Sequence, residues 1–395
     1  MSAVTLLLDL DDTLLDTNMD AFAPAYFSAL AGALASDVSP DIMLPALMGG
    51  TRAMMQNRDP ALTLREVFDA YFFPRLGLER SALQEKIERF YDEIFPTLGR
   101  ISRPRPEAVD FVRRALAAGH RLAIATNPYF PLKAIQHRLR WANLPPEEYP
   151  FALISSYETF HFTKETLAYF HEFLAQIGWP EGPVLMVGND LDMDLLPARR
   201  VGLPVFWLRE GHDPQYADLP QGTFARLGEW LAQADENALT PDFSSPEAIR
   251  ATLRSTPAAL STLTASLPPE AWQFSPAAGE WCITEVICHL RDVDREVYLP
   301  RVEKILESDN PFLPGVDTDR WSQQRNYISQ DGPQALQDFL QGRRRLLDLL
   351  EGDSVPWSRR ARHAIFGSTT LLELADFMAQ HDRTHIRQIW QLLPK

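Results

Sequence analysis

Asp9 and Asp11 stand two residues apart at the end of the apolar run Leu6-Leu7-Leu8, and Thr13 follows two further on. A carboxylate pair at this spacing suits attack on phosphorus by one group and proton exchange with the leaving oxygen by the other. Thr126 closes the apolar stretch Leu122 to Ala125 and offers a hydroxyl to a phosphate oxygen, with Asn127 beside it. Lys164 follows a third apolar stretch, Phe151 to Ser155, at the expected start of a helix. A point cation there can neutralise charge on an attacked phosphate and on its nucleophile. Gly188-Asn189-Asp190-x-x-x-Asp194 closes a fourth stretch, Val184 to Val187, with hard oxygen ligands suited to Mg2+. Singly, each has a plainer role: a solvated acidic turn at Asp9, a helix N-cap at Thr126, a surface lysine at Lys164, acids favoured by a helix dipole at Asp190 and Asp194. Those roles leave unexplained why all four fall in order on successive strand ends.

A second group lies far along the chain. His381 and His385 sit at i and i+4, on one helix face, which is metal-ligand spacing. His289 lies within the apolar stripe Ile283, Val286, Ile287 and Leu290, so it faces the core that the last helix must also face. Asp292, one turn on, is the expected outer partner of an imidazole. The competing reading is two surface histidines and one core histidine.

The elements needed to place these residues can be read from periodicity. Apolar runs ending in polar residues, alternating with helices near Pro106 to Ala118, Leu132 to Trp141 and Lys164 to Ile177, argue for a parallel sheet covered on both faces, with the chemistry at the strands' carboxyl ends. Val205 to Leu208 adds a strand. Between the first strand and residue 100 the pattern is helical, with apolar residues at three-to-four spacing over Ala21 to Leu34, Leu64 to Phe73 and Ser81 to Phe95, as in an inserted cap. Met48-Gly49-Gly50-Thr51-Arg52 reads as a flexible loop whose Arg52 could meet an anion, or as an ordinary helix connection. The polar stretch 235–242 reads as a linker. Beyond it strand signal almost vanishes, and amphipathic helices near 245–267, 284–306, 333–350 and 370–393 predict a four-helix bundle. Ser245-Pro246 and Thr370-x-x-Glu373 supply the capping signals.

At 395 residues the chain is long enough for two or three domains, and 45% hydrophobic residues can build real cores. A net charge of -15 argues against a nucleic-acid partner. Arg343-Arg344-Arg345 reads as a solvated helix face. The first residues lack a basic n-region, and no long uncharged run exists to span a membrane, so a cytoplasmic protein is expected. Cys282 and Cys288, six apart on one expected helix, are poorly placed to pair.

Residues 1 to about 230 resemble the haloacid dehalogenase superfamily, with Asp9-x-Asp11-x-Thr13, Thr126, Lys164 and the Gly188 to Asp194 loop at its four motif positions. The resemblance implies a Rossmann-like core (1–15 and 101–235), a helical cap (16–100) and an aspartyl-phosphate intermediate. It makes Asp9 the nucleophile, Asp11 the general acid/base, Thr126 and Lys164 the phosphoryl holders, and Asp11 a sign of phosphatase chemistry. Asp9, Asp11, Asn189, Asp190 and Asp194 would supply the Mg2+ shell, and Thr13, Asn127 and Arg52 would meet substrate. Asn189 stands where the family usually has a metal-binding Asp, and Glu165 where a Pro commonly follows the lysine. After a linker (236–245), residues 246–395 resemble the DinB-like metal-binding bundles through Gly279-Glu280-Trp281-x-x-x-Glu285-Val286-x-x-His289-Leu290 and Phe366-Gly367-x-Thr369 followed by His381-Asp382-x-x-His385-x-x-Gln388. This second resemblance implies a His289, His381 and His385 site for Zn2+ or Ni2+.

The leading expectation is a Mg2+-dependent phosphohydrolase acting on a small phosphomonoester, fused to a metal-binding bundle, with a homo-oligomer left open. In the alternatives the bundle carries the main reaction, a metal-dependent thiol transfer or hydrolysis, or serves as a binding or dimerisation module.

Overall fold

The computed structural model describes residues 3–277 and 279–394. Met1, Ser2, Ala278 and Lys395 lie outside the described residues, so the outer bounds expected at 1 and 395 fall there. The chain divides into two compact units, Met1–Tyr169 with Pro180–Asp242, and Phe170–Trp179 with Phe243–Lys395.

In the first unit, β1 (Thr5–Leu8) leads through Asp9 to a tight turn and then to β2 (Leu15–Thr17). The cap follows as α1 (Met19–Leu34), α2 (Pro40–Gln56), α3 (Leu64–Leu76) and α4 (Arg80–Arg89). Helix α3 starts on the reciprocal Thr63–Glu66 capping box. The chain returns through β3 (Ser102–Pro104), which pairs antiparallel with β2, so a short ribbon ties together both ends of the insertion. Next come α5 (Pro106–Ala117), β4 (Arg121–Ile124) and α6 (Leu132–Trp141), and then α7 (Ala168–Gln176), which groups from Phe170 on with the second unit. β5 (Val184–Gly188), α8 (Leu196–Arg200), β6 (Val205–Leu208), β7 (Gln221–Gly222) and α9 (Phe224–Gln233) complete the unit.

The main sheet has the order β4-β1-β5-β6-β7 and every pair is parallel. Leu6, Leu7 and Leu8 are fully buried, as a strand covered on both faces requires. Leu8 stands opposite Ile124 on one side and Val187 on the other, so β1, β4 and β5 end level. This register brings Asp9, Thr126 and Gly188 to one edge. It is the Rossmann-like parallel sheet with inserted helices that the sequence predicts.

Four local readings change. Phe151 to Ser155 is not a full strand. It hydrogen-bonds β4 through the Ala152, Ile124 and Ser155 amides, yet forms only one bridge, Ile124 with Ile154. Lys164 lies in a turn before α7, where its amide donates to Asn127 Oδ1 at 3.2 Å, rather than opening a helix. Residues 48–52 belong to α2 and form no loop. A Cβ added to Gly49 would fall 2.3 Å from the Tyr71 ring, and one on Gly50 2.7 Å from the Phe68 ring, so both glycines serve the close approach of α2 to α3. The fourth change concerns the linker: Glu236–Leu239 makes a helical turn, Leu239 is buried in the core of the first unit, and the Asp242 amide donates to Gly202 O.

The second unit contains α10 (Pro246–Thr264), α11 (Ile283–Val293), α12 (Leu299–Glu307), α13 (Trp321–Gln324), α14 (Gly332–Leu349) and α15 (Leu371–Leu392). A wider π-turn over Asp294–Tyr298 joins α11 to α12 just before Pro300. The four long helical stretches match the expected bundle, and the Thr370–Glu373 capping box forms. A three-stranded sheet of β8 (Phe312–Leu313), β9 (Arg360–His363) and β10 (Gly367–Thr370) was not expected. Residues 170–179, expected in the α/β core, group with this unit, where His171 and Trp179 pack edge-on against Phe243. Among the described residues no helix is long and apolar enough to cross a membrane.

Candidate active site and metal centre

Asp9 leaves β1 with its amide donating to Val187 O, and the residue is 6% exposed. The Lys164 ammonium donates to Asp9 Oδ1 at 2.7 Å and to Asp194 Oδ1 at 2.6 Å, with Lys164 only 2% exposed. Burial alone would disfavour that ammonium, but Asp194 and Asp9 outweigh it and hold the lysine above its usual range. Burial, and then the charge of Asp9, push the Asp194 carboxyl up, against the pull of Lys164. A Cβ on Gly188 would lie 2.2 Å from Asp194 Oδ2, so only glycine at the end of β5 lets that carboxylate reach the centre.

The acidic loop divides its work unevenly. Asp190 is exposed, and its Oδ1 accepts from the Asp192 and Met193 amides at 2.9 and 3.0 Å, capping the following turn. Asp194 is the buried member. Asn189 Oδ1 accepts from the Thr13 hydroxyl at 2.9 Å, which joins this loop to the turn after β1. Thr126 is buried, and its carbonyl accepts from Ser155 Oγ and the Tyr169 hydroxyl. Arg52 is exposed toward the C-terminal end of α2 and makes no hydrogen bond or ion pair with this cluster among the described residues.

Arg138, which the sequence reading passed over, pairs with Asp11 and is 2% exposed. Burial brings its guanidinium down to about 10, with Asp9 opposing. Its ring neighbours are Phe22 and Phe130, with centroids 5.3 and 5.6 Å from the guanidinium carbon. The available signal was its register. On α6 the buried face is Ala134, Ile135, Arg138 and Leu139, so the arginine occupies an apolar stripe position. Thr17 also donates to Asp11 Oδ1, at 2.8 Å.

These groups place three carboxylates, Asp9, Asp11 and Asp194, against two cations, Lys164 and Arg138. The excess anion in a mostly buried centre, presented as hard oxygen donors, fits a divalent cation such as Mg2+.

In the second unit His289, His381 and His385 converge. The Nε2 atoms of His289 and His381 are 3.0 Å apart, and those of His385 and His381 3.2 Å. Ligand nitrogens about 2.1 Å from one metal, at 90° to 109°, stand about 3.0–3.4 Å apart, so this spacing fits a shared ion. His385 Nδ1 lies 2.9 Å from Gln388 Oε1, which fixes the proton on Nδ1 and leaves Nε2 as an electron-pair donor. Burial, reinforced by the neighbouring imidazoles, lowers His289 to about 3 and holds His381 well below the ordinary value; burial also lowers His385. Three neutral imidazoles result, as ligation needs. Trp281 stacks on His385, and Tyr298 meets His381 edge-on.

The expected outer role of Asp292 is not what forms. Its oxygens accept from Arg291, Arg325 and the Tyr327 hydroxyl at 2.8, 2.6 and 2.9 Å. Nor is Arg343 a solvated residue. It is fully buried on the apolar face of α14, bridging Asp294 and Asp382 and donating to Leu253 O. Asp382 adjoins His381, so the bridge fixes the part of α15 that carries the imidazoles. Cys282 and Cys288 are both free and buried.

A family model described as haloacid dehalogenase-like hydrolase matches residues 4–202, and one described as the DinB superfamily matches residues 252–389. No curated protein matches. Among solved structures, a HAD phosphatase from Thermococcus onnurineus is 19% identical, with 60% of this chain and 100% of that chain covered at a TM-score of 0.38. A 2-haloacid dehalogenase from Pseudomonas syringae pv. Tomato DC3000 is 21% identical, covering 59% and 99% at 0.42. YfiT from Bacillus subtilis, described as a probable metal-dependent hydrolase with an unusual four-helix bundle topology, is 20% identical, covering 39% and 88% at 0.34.

Proposed function

The chain belongs to the haloacid dehalogenase-like hydrolases, and from that premise we propose that its first unit hydrolyses a small phosphomonoester with Mg2+. The observation that carries this reading is the convergence of Asp9 and Asp194 on the Lys164 ammonium, with Asp11 held two residues away. The Asp9 carboxylate attacks phosphorus and the ester oxygen leaves as an alcohol, taking its proton from Asp11. Water then attacks the phosphorylated Asp9, giving its proton to Asp11 and restoring both carboxyls. Thr17 and Arg138 both donate to Asp11 Oδ1, which leaves Oδ2 to meet the substrate. Lys164 neutralises charge on the attacking carboxylate and on the phosphoryl oxygens, and the Thr126 hydroxyl and Asn127 orient the phosphate. Asp9, Asp194 and Asn189 would hold Mg2+, which when bound offsets the repulsion between the phosphate dianion and this acidic centre.

The test is a phosphomonoester panel with Mg2+, run on the wild type and on Asp9→Asn. The wild type should turn over and the variant should lose at least about 10³-fold in kcat, since an amide cannot attack as a carboxylate does. Equal turnover by the two would sink the covalent route.

A second reading concerns the bundle. The three converging Nε2 atoms favour one Zn2+ or Ni2+ held by His289, His381 and His385, because borderline nitrogen donors suit these ions better than Mg2+. Open positions at such an ion would support hydrolysis or thiol transfer.

A further inference from the structure

A cavity of about 270 Å³ lies between the cap helices and the loop that follows Thr126. Its walls are mainly rings, among them Phe22, Tyr26, Phe72, Tyr129 and Phe130. Its walls contact neighbours of the catalytic groups at two places. Phe22 and Phe130 face the Arg138 guanidinium, which pairs with Asp11, and the Tyr129 hydroxyl donates to Glu165, the residue after Lys164.

Each polar side chain on the wall already has a partner. The Tyr26 and Tyr91 hydroxyls bond each other at 3.0 Å. Arg80 pairs with Asp69 and hydrogen-bonds Tyr157. The Thr51 hydroxyl donates to Leu47 O at 3.0 Å. These mutual pairings and the ring-lined walls leave a sugar or polyol few partners for its hydroxyls, each unpaired one costing on the order of tenfold in affinity or more. An apolar group would meet no such penalty. An engineered cavity of about 150 Å³ holds benzene, so this space suits an apolar group of roughly ten to eleven non-hydrogen atoms.

We infer that the cavity receives the alcohol portion of the substrate and selects an apolar, ring-bearing phosphomonoester over sugar or polyol phosphates. The inference rests on the phosphohydrolase reading for its orientation, with phosphate at Asp9 and the ring among the cap helices.

Three esters with unactivated primary alcohols hold the leaving group's reactivity nearly constant: ethyl phosphate, 2-phenylethyl phosphate and glucose 6-phosphate. With Mg2+, kcat/KM for the phenylethyl ester should exceed that for the ethyl ester by about 10- to 100-fold, the range for burying one ring. Glucose 6-phosphate should do no better than ethyl phosphate. Ala23, on the cavity wall and outside the catalytic set, gives the control. Ala23→Phe should erase the advantage of the phenylethyl ester over the ethyl ester. Calorimetric binding of 2-phenylethylphosphonate to the wild type and to Ala23→Phe reads the cavity without chemistry, and the variant should bind at least about tenfold more weakly. Equal kcat/KM for the ethyl and phenylethyl esters, a preference for glucose 6-phosphate, or phosphonate binding indifferent to Ala23→Phe would each overturn the inference. Phosphonate binding that Ala23→Phe weakens, with no ester hydrolysed, would sustain the ligand class and overturn the hydrolase reading instead.

Discussion

Arg343→Met should destabilise the bundle strongly at neutral pH and much less in mild acid. In the wild type the guanidinium donates to Asp294 from Nε at 2.5 Å and from Nη2 at 2.9 Å, and to Asp382 from Nη1 at 2.5 Å. Asp294 and Asp382 are both buried, and burial already holds the Asp294 carboxyl above the ordinary range with the cation present. Without the cation, the two neighbouring carboxyls can stay folded only by sharing a proton. Taking up one proton at pH 7 on a carboxyl of ordinary pKa about 3.9 costs about 1.36 × 3.1, or about 4 kcal/mol, which agrees with about 3–5 kcal/mol for breaking a buried pair. At pH 5 the same term is about 1.5 kcal/mol. The sign follows from a folded-state pKa raised above the unfolded one: the variant's stability is full below about pH 4 and is lost as pH rises. Hydrogen exchange of amides in α11, α14 and α15, corrected for intrinsic rates and referenced to α5, reads this without assuming two-state unfolding. Protection should fall about 10³-fold at pH 7 and about tenfold at pH 5. A loss below tenfold at pH 7, or equal losses at the two pH values, would refute the reasoning. Adding Asp294→Asn and Asp382→Asn to the variant should recover most of the protection, because no buried charge then remains unpaired.

Gly188→Ala should cost on the order of 10²-fold in kcat, since the new methyl displaces Asp194 by about an ångström or more; phosphomonoester turnover checks it, and unchanged kcat would count against the placement. Asp194→Asn should raise the Mg2+ needed for half-maximal activity at least about tenfold, whereas Asp190→Asn should cost at most about 1 kcal/mol of local stability and leave the Mg2+ titration in place. Equal Mg2+ shifts in the two variants would contradict that division of labour. His381→Ala should lose most of the bound Zn2+ or Ni2+ by elemental analysis while Mg2+-dependent phosphatase activity persists. Metal retained by that variant would remove the three-histidine site.

The alternation of apolar runs and helices was enough to read the parallel sheet, because strands buried on both faces are continuous apolar segments, as Leu6 to Leu8 and Val184 to Val187 are. The bundle was legible for a similar reason: long amphipathic stripes with caps at Ser245 and Thr370 leave little choice of element. Misreadings came where a residue type carried more weight than its register. Two adjacent glycines read as a loop at 49–50, yet the rings of Phe68 and Tyr71 require them inside a helix. Arg138 and Arg343 read as solvated, or went unremarked, although each sits three or four residues from apolar stripe members; their carboxylate partners lie 127, 49 and 39 residues away in sequence. The strands β8 to β10 are too short for a period of two to emerge. Of the candidate site, Asp9, Lys164, Asp194 and the three histidines could be named from spacing and resemblance. The exposed, capping Asp190 could not be told from Asp194, since the choice depends on which acid the turn after β5 folds inward.

The position of β1 has a consequence for how the protein is made. This strand leaves the ribosome before β4 and β5, yet it lies between them, and its partners are residues 121–124 and 184–187. At about 5–20 residues per second, its second edge waits about 10–40 s for β5 to be synthesised. Through that interval Leu6–Leu8 is an apolar segment with an unpaired edge, a condition that favours association with other nascent chains. The cap helices need no such wait, because α2 and α3 are neighbours in sequence and pack on each other. A folded cap tethered to an unfinished sheet is therefore the expected nascent species, and holdase demand should peak before residue 188 emerges.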